Sequence, residues 1–235
     1  MTTRFGRIVR NLHHHGFWKT ASDLALRVLN RIVFVRIVEC LAIESVDPDR
    51  TQCSQRFRGL FLTESMLRTF SNNSANELSE SFLNHAIAKG DQCFGFLDGD
   101  TLASYSWYST HPTDTDWSGL AIHCSSQYIY MYKGFTNAEY RGNRLYGLGM
   151  ARALESFQTR GYRGMVSYIE WNNYDSLKGS HRVGFKSFGR IYVLRLFKRY
   201  FLHCTAGCDR YAFRVLQVRP SAVCITPAHC KLPNQ

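Results

Sequence analysis

The chain has 235 residues, enough for one domain with an appended element. With 45% apolar and 14% aromatic residues it can fill a core, which excludes wholesale disorder. Its formal charge of +11 attracts polyanions, whether nucleic acid, an anionic membrane surface or cofactor phosphates, and composition does not choose among them.

From Phe5 to about Val33 apolar residues recur at helical spacing, among them Phe5, Ile8, Leu12, Phe17, Leu24, Val28 and Ile32. Thr20 and Asp23 have the form of a capping box, so a second helix is expected to start there. The opposite face carries Arg4, Arg7, Arg10, Lys19, Arg27 and Arg31. Such an element either packs on the domain with its basic face solvated or lies on an anionic membrane. No apolar run approaches the roughly 20 residues of a bilayer span, and no signal peptide is evident. The expected location is the cytoplasm, the packed helix being the favoured reading and peripheral contact at the inner membrane surface the open alternative.

Phe34 to Ile43 is rich in Val and Ile and is predicted as the first strand. Glu64–Phe70 and Glu77–Lys89 are predicted helices. Asp91–Leu97 and Thr101–Thr110 form a predicted hairpin around Asp98-Gly99-Asp100, where Asp-Gly suits a positive-φ turn. Tyr128–Phe135 is a strand, Leu145–Thr159 a helix stopped near Gly161, and Met165–Glu170 a strand. A short helix over Tyr174–Arg182 ends at Gly184, followed by a strand over Phe188–Leu196. Strand–helix–strand with short connections implies a parallel or mixed sheet covered by helices. Tyr211–Val218 is a candidate last strand, and Pro220 and Pro227 mark an irregular tail. The expected organisation is a basic helical extension over 1–33, a central domain over 34–200 and a C-terminal strand and tail over 201–235.

The eight cysteines are scattered, and disulfides are not expected in the cytoplasm. His203, Cys204, Cys208, Cys224, His229 and Cys230 lie near one another in the tail, but their spacing is not a standard zinc pattern and no metal is expected.

The segment with chemical content is Phe135-Thr136-Asn137-Ala138-Glu139-Tyr140-Arg141-Gly142-Asn143-Arg144-Leu145-Tyr146-Gly147. A strand runs into a loop and a helix starts directly after it. That order leaves unpaired backbone N–H groups at the positive end of the helix dipole, where an anion is favoured. Gly142 has no side chain to obstruct a phosphate, and Arg141 and Arg144 supply charge-assisted donors. Neither a Walker loop nor a G-x-G-x-x-G fingerprint is present.

These residues resemble the cofactor loop of the GNAT (GCN5-related N-acetyltransferase) family, Gln/Arg-x-x-Gly-x-Gly/Ala after the fourth strand, with Glu139-Tyr140-Arg141-Gly142 matching its approach. Asn173-x-x-Ser176 followed by Gly184-Phe185 resembles the family's second cofactor segment, and the Asp91–Thr110 hairpin sits where its second and third strands lie. The resemblance covers roughly residues 85–198. It departs from the pattern in two places: Arg144 and Tyr146 replace the small loop positions, and Ser180 stands where many members carry an acidic tyrosine.

The resemblance implies an α/β fold with a mixed, mostly antiparallel central sheet flanked by helices, and a parallel strand pair splayed to admit a pantetheine arm. It further implies transfer of acetyl from acetyl-CoA to a small amine by direct attack. The arm would pair with the strand ending at Phe135 and Thr136, and backbone N–H groups of Asn143 to Gly147 would hold the pyrophosphate. An amine must first lose a proton, so a base or water relay is needed. Glu170, at a strand end, is the candidate base, although it also suits a solvated charge. Tyr168, Ser180 and His181 are candidate acids, and Tyr130, Tyr132 and Trp107 are candidate pocket walls that suit the core equally well. Three alternatives stay open: an acyl-carrier-protein donor, a longer acyl group, or a non-catalytic protein of this fold binding an anionic membrane or polyanion. Nucleic acid is not the expected partner, because no recognition motif is present.

Overall fold

The computed structural model describes residues 33–46, 54–197 and 199–218, together with Trp18, Ala21 and Ala25. The expected N-terminal helices and the tail with Pro220, Pro227, Cys224, His229 and Cys230 lie outside the described residues. No helix among the described residues is long and apolar enough to cross a membrane.

Eleven strands are present: β1 (Phe34–Ile43), β2 (Phe57–Phe61), β3 (Gln92–Asp98), β4 (Thr101–Ser109), β5 (Thr113–Asp114), β6 (Leu120–His123), β7 (Tyr128–Thr136), β8 (Gly164–Glu170), β9 (Lys186–Leu196), β10 (Arg199–Cys204) and β11 (Arg214–Gln217). Among the described residues, the α-helices with described bounds are α1 (Glu64–Ser71), α2 (Glu80–Ala88), α3 (Leu145–Thr159) and α4 (Tyr174–Val183). Eight strands form one sheet in the order β10-β9-β1-β8-β7-β4-β3-β2, and β11-β6-β5 form a second. Every pairing in the large sheet is antiparallel except β7 with β8. The expected mixed, mostly antiparallel sheet flanked by helices, with one parallel pair, is therefore the observed architecture.

The sheet buries both faces. On one, Leu41, Ile43, Phe94, Phe96, Met131 and Met165 pack with Met150, Leu154 and Phe157 of α3. On the other, Leu83 and Ala86 of α2 cover Cys93 and Trp107, while Leu120, Ile122 and Val215 of the small sheet cover Tyr128, Tyr130 and Val166. Helix starts follow their capping chemistry: Thr63, Ser79 and Asn173 accept from Met66, Phe82 and Ser176 N–H to begin α1, α2 and α4.

Several expectations need correction. The helix expected from Glu77 begins at Glu80, because Ser74–Asn76 wind into a 3₁₀ turn, Glu77 takes a left-handed conformation (φ 52°), and Ser79 supplies the cap. The strand expected over Tyr211–Val218 shortens to Arg214–Gln217, since Ala206–Tyr211 form a 3₁₀ turn ended by Ala212 at φ 46°. Strands β2, β5, β6 and β10 have no counterpart in the sequence reading. β10 runs across position 200, and β11 after it closes the small sheet over the large one.

Candidate active site

The parallel pair is short. Tyr128, Ile129 and Tyr130 of β7 pair with Gly164, Met165 and Val166 of β8, and no residue beyond them does. Ser167 Oγ donates to the Met131 carbonyl at 2.8 Å, and from there the two strands diverge into a fork. β7 stays on β4 as far as Thr136, and β8 stays on β1 as far as Glu170, so each arm of the fork is held from outside.

The loop beside the fork has the conformation its glycine demands. Tyr140 ends a 3₁₀ turn, Gly142 adopts φ +85°, and Arg144 caps α3 from the left-handed region at φ 58°. Asn143 Nδ2 donates to the Tyr140 carbonyl at 3.0 Å and closes the loop. A Cβ at Gly142 would meet open space, so glycine is required there by backbone conformation. Gly142, Asn143 and Arg144 are exposed, and neither Arg141 nor Arg144 has a carboxylate partner among the described residues. Unlike α1, α2 and α4, α3 begins with no side-chain cap. Its first N–H groups, on Leu145, Tyr146 and Gly147, therefore face the loop with the helix dipole behind them.

The side chains of those three residues are occupied elsewhere. Leu145 is buried in the core. The Tyr146 ring lies on Gly134, where a Cβ would collide with it, and its hydroxyl approaches Met131 Sδ at 3.8 Å. Gly147 lets α3 meet α4: a Cβ there would stand 2.7 Å from Val183 Cγ2. These residues offer the loop backbone only. Phe135 and Thr136 behave alike, with the Phe135 ring stacked on Tyr105 at 5.4 Å. Ser104 Oγ donates to the Phe135 carbonyl at 2.8 Å and lies 3.0 Å from Thr136 Oγ1.

Across the fork, Trp171 Nε1 just before α4 and Ser176 Oγ in its first turn are buried with no partner among the described residues. Buried polar atoms are nearly always satisfied, so two such orphans fit a ligand carrying acceptor atoms, such as the amides of a pantetheine arm. Asn173 Oδ1 is spent on its own helix, accepting from Ser176 N–H at 3.3 Å.

The candidate acids and bases are dispersed. Glu170 pairs with Arg36 Nε at 3.2 Å, and its side chain is 41% exposed. Tyr168 stands two residues earlier on β8, its ring 5.4 Å from Trp117 and 6.3 Å from Tyr130. Ser180 is buried in α4, where its carbonyl accepts from the N–H groups of Gly184 and Phe185. His181 donates from Nδ1 to the Phe185 carbonyl at 2.9 Å. Trp107 lies wholly in the core, while Tyr130 is fully buried and burial pushes its phenol up. Tyr132 reaches away from β8 to donate to Asp91 Oδ2 at 2.7 Å. The same oxygen receives Lys89 Nζ at 3.0 Å, whose amine burial pulls below its ordinary range. This last cluster was not foreseen, since Lys89-Gly90-Asp91 carries no signal beyond the end of a helix.

An open depression on α1 is lined by Glu64, Ser65, Arg68, Thr69 and Asn72. Among the described residues no group of His, Cys, Asp and Glu is placed to hold a metal ion.

No protein-family model matches the chain, and no curated protein matches it. Solved structures of similar shape include a GCN5-related N-acetyltransferase-like protein from Streptococcus suis, 12% identical with a TM-score of 0.48 over 78% of this chain and 68% of that one. Another is a GCN5-related N-acetyltransferase from Sphaerobacter thermophilus, 13% identical with a TM-score of 0.49 over 72% of this chain and 54% of that one. A third is a putative GNAT-family acetyltransferase from Novosphingobium aromaticivorans, 12% identical at a TM-score of 0.45, covering 68% and 64%. The matches thus span between 54% and 68% of those proteins' length. At these identities and TM-scores no statement about activity follows from the likeness.

Proposed function

We propose that the protein is an acyltransferase of the GNAT type, moving an acyl group, in the first instance acetyl, from coenzyme A to a primary amine. The observation that carries this reading is the fork: a parallel pair that parts after Tyr130 and Val166, directly beside an uncapped helix start reached through Gly142 and two arginines with no carboxylate partner among the described residues. The N–H groups of Leu145 to Gly147 and the guanidiniums of Arg141 and Arg144 bind the pyrophosphate, as an anion takes the place of a capping side chain. Trp171 Nε1 and Ser176 Oγ donate to the arm, which lies along β7 in the manner of an added strand.

Direct attack requires the amine nitrogen to bond to the thioester carbonyl carbon while the carbon–sulfur bond breaks. The nitrogen's proton leaves to a base, and the thiolate takes up a proton from an acid. Tyr168 on the fork wall is the donor in this reading, since its phenol is already held by ring packing and Ser180 is enclosed in α4. Glu170, on the same face of β8 and paired with Arg36, is the acceptor through water.

Thermal unfolding with and without acetyl-CoA tests the site. A ligand at about 100 times its Kd stabilises by about 2.7 kcal/mol, a shift of roughly 5–11 °C for this length. Gly142→Glu removes the shift by placing bulk and negative charge against the pyrophosphate. Gly142→Ala bears the same positive-φ cost without the charge and retains at least half of it. Equal shifts in wild type and Gly142→Glu would end this assignment.

A further inference from the structure

The large sheet is covered unevenly. On the α3 side, the helix packs on β3, β4, β7 and β8. Past Leu41 and Ile43, which pack with α3, that face continues over the first half of β1, β9 and β10. The outward row there is apolar: Leu194 stands opposite Val35 of β1 and Phe201 of β10, Tyr192 opposite Ile37 and His203, and Leu196 opposite Arg199. Tyr192, Leu194, Leu196 and Phe201 are all exposed, while the alternate residues Ile191 and Val193 are buried beneath the small sheet.

The hairpin joining β9 to β10 carries a second, independent signal. β9 ends at Leu196 and β10 begins at Arg199, and Phe197 between them sits at φ +57° with 92% of its surface exposed. A two-residue connection of this kind favours Asn or Gly, and a bulky residue in the left-handed region is strained. Folding gains nothing from a strained, solvated phenylalanine at a tip, so its benefit lies in contact with a partner.

Charge selects the partner. From Lys186 to Cys204 the sequence has Lys186, Arg190, Arg195, Lys198 and Arg199 and no acidic residue, within a chain of net charge +11. A second copy of this chain would bring like charges together. Nucleic acid would meet the arginines but has no apolar interior for Leu196 and Phe197. A surface of anionic headgroups over hydrocarbon satisfies both demands.

We infer that the β9–β10 hairpin, with the apolar row behind it, is a docking surface for an anionic lipid bilayer. The tip enters the interface through Phe197 and Leu196, and the flanking basic residues contact headgroups. The geometry bears on the fork as well. Val38 of β1 pairs with Glu170, the last residue of β8, whereas Phe34 pairs with Arg195, so the tip projects past the end at which β7 and β8 part. Docking turns the mouth of the fork toward the lipid surface, which, on the acyltransferase reading, suits an amphipathic substrate carried in the bilayer.

Flotation with vesicles of phosphatidylglycerol and phosphatidylcholine, against phosphatidylcholine alone, tests the surface. Wild type is expected to float with the anionic vesicles, to release as salt is raised, and to ignore the neutral ones. The charge-neutral pair Leu196→Ser and Phe197→Asn, in which Asn also suits the turn, is expected to lower partitioning roughly tenfold or more. Its unfolding temperature and its response to acetyl-CoA are expected to stay unchanged, which separates this result from the fate of the fork. A Phe197→Trp variant retains binding, and its emission shifts to the blue on anionic vesicles. Unchanged flotation of the double variant would overturn the proposal, since attachment would then lie elsewhere in the chain. An equal loss of single-stranded DNA binding, or loss of a wild-type dimer in light scattering, would also overturn it.

Discussion

The two ends of the β7–β8 pair are built differently. At the closed end the strands are in register, and the polar groups around them satisfy one another: Glu44 Oε1 receives the Tyr128 hydroxyl at 2.7 Å, Arg210 at 3.3 Å and the Tyr211 hydroxyl at 3.4 Å. Gln158 Nε2 adds a bond to the Glu44 carbonyl at 2.7 Å. At the open end the strands part, α3 starts without a cap, and two buried donors lack acceptors. The closed end is thus knit together around Glu44, whereas Trp171 Nε1 and Ser176 Oγ at the open end have no partner among the described residues, although buried Tyr108 Oη and Trp107 Nε1 elsewhere on the sheet also lack one.

That contrast can be broken from either side. The largest effect is expected from Gly164→Ala at the closed end, where a Cβ would run into the Ile43 carbonyl, a backbone atom that cannot swing aside. Overpacking of this kind costs about 3 kcal/mol, or roughly 6–12 °C in unfolding temperature at this length, with coenzyme A affinity otherwise kept in the folded fraction. A loss of affinity without a loss of stability would reverse the assignment of the two ends.

Ser176→Ala at the open end is expected to act in two directions. Coenzyme A affinity falls by roughly 5–10-fold, the worth of one hydrogen bond, while the unliganded protein holds or gains slightly in stability because an orphaned hydroxyl has gone. Isothermal titration and denaturant unfolding read the two separately. Lower stability with unchanged affinity would show that the hydroxyl serves the fold.

The smallest effect is a pH dependence. The Tyr128 hydroxyl, with Arg210 and Arg163 nearby, holds the Glu44 carboxyl below its ordinary value of 4.5. A depressed carboxylate contributes stability that is present above the ordinary value and is lost as pH falls through the lower, folded one. Denaturation curves of wild type and Tyr128→Phe should therefore lie apart at neutral pH and converge as the solution is acidified through that window. Curves separated by a constant amount across it would remove Glu44 from the account of the closed end.

Much of the sheet's frame is legible in the sequence, and the reasons are local. Phe34–Ile43 is a buried strand because Val and Ile dominate it, and α3 starts at Leu145 and ends at Thr159 where its glycines say it should. Gly184 closes α4 from the left-handed region at φ +118°, as a residue without a Cβ does at low cost. The loop around Gly142 is legible for the same reason, since that glycine and the flanking arginines are neighbours in sequence.

The small sheet was not legible, because β5 and β6 are short and β11 reaches β6 across some 90 residues of chain, a pairing no local pattern encodes. Nor was the pairing of Glu170 with Arg36, which stands on a strand 134 positions away. The orphaned donors of Trp171 and Ser176 and the exposed apolar row of β9 and β10 are likewise tertiary facts. Alternation tells which residues share a face of a strand, but only the packing of the other elements tells whether that face is covered. By itself, the sequence determined the frame of strands and helices, the basic charge and the glycine loop, which depend on propensity and backbone conformation over a few residues. Where the parallel pair parts, which donors it leaves unpaired and which sheet face stays open were decided by tertiary structure, because burial and hydrogen bonding are settled between residues far apart in the chain.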